Sequence, residues 1–101
     1  METKRKGSIE ERMKERGDKP VLMLCEDLEA CKLRYAVGMS EKAPILYSIY
    51  VEHSDGECES TELIPDFSKD RDVAEGFCAV LARYTATPLS LYALYEDSLT
   101  P

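Results

Sequence analysis

The spacing of apolar residues changes several times along the chain, and each spacing predicts a different element. Between residues 2 and 19 only Ile9 and Met13 are apolar, four apart. Ser8 followed by Glu11 has the spacing of a capping box, and Gly17 supplies a stop, so a short helix is predicted from Ile9 to Arg16. Two apolar side chains make a narrow face, so residues 1–19 read as a charged, flexible N-terminal arm. The folded domain is then expected from Pro20 onward, as a single unit over residues 20–101. Val21 to Cys25 is a short apolar run that fits a buried strand and a helical turn equally, and residues 21–30 stay open. From Cys31 the period settles to two: Cys31, Leu33, Tyr35, Val37 and Met39 alternate with Lys32, Arg34 and Gly38, the pattern of a half-buried strand.

After a polar connection from Ser40 to Pro44, Ile45 to Glu52 is the most β-prone stretch of the chain. Asp55-Gly56 tolerates the positive φ angles of a two-residue type I′ turn. That turn pairs Ser54 with Glu57 and sets His53 across from Cys58. The returning strand is expected over about 58–64, ending at Ile64-Pro65 because proline cannot donate to the ladder.

The period then lengthens. Val73, Phe77, Val80, Leu81 and Tyr84 recur at helical spacing, opposite Asp72, Glu75, Ala79 and Arg83, behind a cap at Ser68 or Asp70. Cys78 lies beside that stripe and reads as a small core residue. Thr87-Pro88 restarts the chain as cap and first helical position, and a second helix is predicted to about Leu99. Its apolar arc is wide. Leu91, Tyr92, Tyr95 and Leu99 cluster on one side, with Leu89 and Leu94 on its two edges. The fold class that follows is α+β: a small antiparallel β-meander of three to four strands, then two C-terminal helices packed on one face.

Charge narrows the choice of partners. The net charge is −7, and residues 35–101 carry four Lys/Arg against twelve Asp/Glu. Such a surface repels phosphate backbones and anionic lipid, so neither nucleic acid nor a membrane is expected as a partner. No apolar run is long enough to span a bilayer. The charged N-terminal stretch lacks the apolar segment of a secretory signal, and the four cysteines form no CxxC pair. The expectation is a cytoplasmic setting with free thiols.

Candidate chemistry changes the picture little. A His53–Cys58 pair would lower a thiol pKa and create a nucleophile, but a hairpin tip offers no pocket or oxyanion donors. Cys25, Cys31, His53 and Cys58 lack the close ligand pairs of structural zinc sites. Asp66, Asp70 and Asp72 lack the order of a calcium loop, and helix capping accounts for them. No cofactor is expected, and no glycine-rich phosphate loop or nucleophile elbow is present. The surplus of apolar surface is the informative feature: Leu89, Leu91, Tyr92, Leu94 and Tyr95 are the candidate interface residues, with Tyr92 and Tyr95 suited by an apolar ring and a polar tip.

Ile64-Pro65-Asp66-Phe67-Ser68, then Asp70 and Val73, then Pro88-Leu89 and Glu96-Asp97-Ser98-Leu99, resemble a family of short bacterial proteins catalogued as a domain of unknown function. The resemblance covers about residues 45–99 and departs at Phe67, where the family carries an aliphatic residue. It implies the fold and a cytoplasmic bacterial setting, and it carries over no functional residue. The expected function is a small acidic protein-interaction or regulatory module without catalysis, binding a protein partner or its own copy through the C-terminal helix. A small-molecule or metal-binding domain, and a thiol enzyme or redox sensor at Cys58 beside His53, are the alternatives.

Overall fold

The computed structural model describes residues 8–87. In chain order these form α1 (Ile9–Arg16), β1 (Asp18–Asp27), β2 (Lys32–Ser40), β3 (Tyr47–Ser54), β4 (Glu59–Ser68) and α2 (Arg71–Arg83). The strands make one antiparallel meander in the order β1-β2-β3-β4, so the α+β class expected from the sequence holds with four strands. The second C-terminal helix predicted over 88–99 lies outside the described residues.

The segment left open between strand and helix is strand as far as Asp27, with Leu22 opposite Val37 and Leu24 opposite Tyr35. Alternation along β2 and β3 then builds two cores instead of one. Leu33, Tyr35, Val37, Ile49, Val51 and Ile64 point to one face and meet Ala74, Cys78, Leu81 and Ala82 of α2. Ala36, Tyr50 and Leu63 point to the other face and meet Ile9 and Met13 of α1. The sheet is therefore covered by one helix on each side. Burial of a large aliphatic side chain is worth about 1.5–3 kcal/mol, which makes each helix a contributor to stability.

Over the described part of residues 1–19, from Ser8 onward, that arrangement differs from the expected flexible arm. The capping box forms as expected, with Ser8 and Glu11 bonding reciprocally and Gly17 at φ 78 closing the helix. What the pattern understated is docking: Ile9 is fully buried and Met13 is 3% exposed. A narrow apolar face suffices here because polar groups complete the contact, as described below. Strand β1 likewise starts two residues before Pro20, at Asp18.

Three further expectations are revised. Strand β4 runs through Pro65 to Ser68 instead of stopping at Ile64. It is an edge strand with a register shift between the Tyr47–Ser68 and Ile49–Ile64 pairs, so an irregular stretch absorbs the proline. There Asp66 adopts φ 51 and its N–H donates to Ser48 Oγ at 2.9 Å. The β3–β4 turn holds four residues, because Asp55 Oδ1 accepts from the N–H groups of Glu57 and Cys58 at 3.0 and 2.9 Å. This side-chain-capped loop prevails over the two-residue turn and moves the register: Ser54 pairs with Glu59, and His53 with Ser60. Finally, Asp70 is the cap of α2, accepting from Asp72 and Val73, but the helix turns a different face to the sheet than expected. The small residues Ala74, Cys78 and Ala82, with Leu81, face inward, while Val73, Val80 and Tyr84 remain exposed.

Candidate functional site

The polar residues that dock α1 form the densest network in the described chain. Glu52 of β3 is 2% exposed. Arg34, its neighbour on β2, grips it through two bonds, Nε to Oε1 at 2.6 Å and Nη2 to Oε2 at 2.7 Å. The same guanidinium reaches back to α1 and holds both oxygens of Glu10 at 2.8 Å. Glu52 Oε2 also accepts the N–H of Ile9 at 3.0 Å, placing a buried carboxylate at the positive end of the helix. Arg12 donates to the carbonyl of Thr61 at 2.6 Å. The Arg34 bonds hold the Glu10 carboxyl down at about 2, against its ordinary 4.5.

A second network lies at the far end of α1. Tyr50 donates its hydroxyl to the buried Asp18 carboxylate, which Arg16 Nε also contacts at 3.2 Å. Burial first, then the bond to Asp18, raises the Tyr50 pKa. Gly38 makes room for this contact: a Cβ there would lie 2.9 Å from the Tyr50 ring and 3.2 Å from the Asp18 Cβ. Beside it, a shallow cleft of about 390 Å³ is lined by Glu10, Met13, Lys14, Asp18, Pro20 and Met23, among others. Its buried polar group, Asp18, is already engaged by Tyr50 and Arg16. Both networks therefore do structural work: they satisfy charges that would otherwise be costly to bury, and they fasten α1.

The thiols are scattered. Cys25 and Cys58 are exposed, Cys31 is half-buried, and Cys78 is buried against the sheet, where burial pushes its pKa up to about 12. His53 and Cys58 are not partners across the hairpin, because the four-residue turn places Ser60 opposite His53. Among the described residues no group of three or more His, Cys, Asp or Glu side chains is placed to hold a metal ion.

The feature that reaches outward is α2. At about 100° per residue, Val73, Phe77, Val80 and Tyr84 fall within about 60° of the helix surface. Val73 is 51% exposed, Val80 44% and Tyr84 69%. Phe77 sits at the margin, stacked on Phe67 of β4 with ring centroids 4.9 Å apart. The apolar arc of α2 is thus wider than the sheet covers, leaving a contiguous stripe along its outer side. Residues Leu89, Leu91, Tyr92, Leu94 and Tyr95, the interface candidates of the sequence, lie outside the described residues.

A family model described as a family of unknown function (DUF6514) matches residues 23–101. The chain belongs to that family. The DUF6514 match takes in the second half of β1, the rest of the sheet and α2 with its outer stripe. No curated protein and no solved structure matched. Among the described residues no helix is long and apolar enough to cross a membrane.

Sequence reasoning missed the stripe although its signal was legible. Periodicity alone places Val73, Val80 and Tyr84 inward, because large apolar residues usually are buried. The usable clue was arc width, since the apolar residues of α2 other than Ala79 span about 200° of its circumference, more than one sheet face can cover.

Proposed function

We propose that this DUF6514 protein is a small, acidic, non-catalytic interaction module whose docking surface is the outer face of α2. The observation that carries the reading is the exposed stripe of Val73, Val80 and Tyr84, three large apolar side chains aligned along α2 and its C-cap, on a helix otherwise anchored to the sheet. Aligned apolar residues on a rigid helix are a common way of engaging another protein. The sequence adds a second apolar surplus immediately downstream, in residues 88–99, which extends the same reading. Charge supports a protein partner over a polyanion, and the setting that fits free thiols and this composition is the cytoplasm.

A photoreactive amino acid placed at position 80 tests this reading inside the producing cell. The expected result is a discrete protein adduct from position 80 and none from position 41, on the loop after β2. Absence of an adduct at 80, or equal labelling at both positions, would overturn it.

A further inference from the structure

We infer that the partner on the outer face of α2 is a second copy of the chain, its α2 lying antiparallel across a two-fold axis. This inference rests on the interaction reading above and adds the identity and geometry of the partner. The stripe residues Val73, Phe77, Val80 and Tyr84 are spaced four, three and four apart. That spacing is the same read in either direction. A stripe of this kind is complementary to its own copy run antiparallel: Val73 meets the end of the stripe at Tyr84, and Phe77 meets Val80. Self-complementarity is what a two-fold interface requires.

The charges beside the stripe fit the same arrangement. Asp72 and Arg83 lie on one flank of the helix, near its two ends, and both are exposed. Among the described residues neither side chain is in a salt bridge, while Arg71 is paired with Glu75 at 2.7 Å. In the antiparallel pair a two-fold axis keeps the flank and reverses the helix, so Asp72 of one copy comes beside Arg83 of the other, twice. A parallel pair would instead turn this flank toward the opposite flank of the partner helix and keep Asp72 and Arg83 at opposite ends, so the two charges would not meet.

Sedimentation velocity on the full chain over a concentration series, with circular dichroism as a check of folding, tests the inference. The wild type should pass from monomer to dimer, and Val80→Glu should raise the dimer dissociation constant at least about a hundredfold, because each copy would bury an unpaired carboxylate against Phe77 of the other. Asp72→Arg and Arg83→Asp, each alone, should raise it about tenfold through two opposed like-charge pairs. The double variant should return to within about threefold of the wild type, and only an antiparallel pair gives that recovery. A dimer broken by Val80→Glu but indifferent to the charge exchange would overturn the antiparallel geometry and leave the α2 surface standing. A wild type that stays monomeric would overturn the second copy. An adduct at position 80 with a different protein would then still support the interaction reading, so the two failures are separable.

Discussion

Arg34 is the residue on which most of the α1 side of the sheet depends. It joins Glu52 of β3 to Glu10 of α1, and its planar fork can hold two carboxylates at once. A buried carboxylate that loses its partner is far more costly than the pair is favourable. Arg34→Met should therefore destabilise the chain by about 3–5 kcal/mol, read from the denaturant midpoint, whereas an unchanged midpoint would mean that Glu52 finds other partners. Glu10, the more exposed arm of the network, gives a pH signature. Its folded pKa is depressed to about 2, so its contribution is present above its ordinary 4.5 and is lost as pH falls through the folded value. The protection of α1 amides against exchange, corrected for the intrinsic pH dependence of exchange, should fall between about pH 4.5 and 2, and Glu10→Gln should remove that dependence. A variant that keeps the full dependence would place its origin elsewhere.

At the scale of elements, the two helices show where a sequence can be read and where it cannot. The bounds of α1 follow from Ser8, Glu11 and Gly17, because caps are local chemistry. Its docking was not legible, since it rests on Glu52 and Arg34, 43 and 24 residues away from their contacts at Ile9 and Glu10. Ile9→Ala should cost about 2–5 kcal/mol, the penalty of emptying a core site, and a negligible cost would restore the flexible arm. The extent of α2 was equally plain, and its rotation was not. Periodicity gives the width of an apolar arc, but which part meets the sheet depends on how closely Ala74, Cys78 and Ala82 allow the helix to approach. On the open side Gly76 has nothing within 4 Å of where a Cβ would sit. Gly76→Ala should raise stability by about 0.5–1 kcal/mol in melts of dilute protein, since alanine removes backbone freedom only from the unfolded chain. Destabilisation would show that this side of the helix is crowded.

The whole molecule is asymmetric in a way that bears on function. One face of the sheet is sealed by α1 with bidentate ion pairs and a buried tyrosine. The other is sealed by α2, which keeps a row of large apolar side chains turned outward. The meander and the α+β class were readable from the sequence because alternation and β-propensity are strong in residues 31–52. The hairpin register was not, because Asp55 caps its own loop and the competing two-residue turn is equally compatible with Asp-Gly. That single local choice separates His53 from Cys58 and removes the thiol pair as a geometric unit. What remains is a surface, and the surface is where a measurement should look. Methyl NMR spectra of the full chain over a concentration series report it directly. The expected result is that the methyl signals of Val73 and Val80 shift with concentration while those of Ile9 and Leu63, sealed under α1, stay fixed. Signals of Val73 and Val80 that do not move, or movement concentrated at Ile9 and Leu63, would contradict an interaction surface on α2 that engages its own copy.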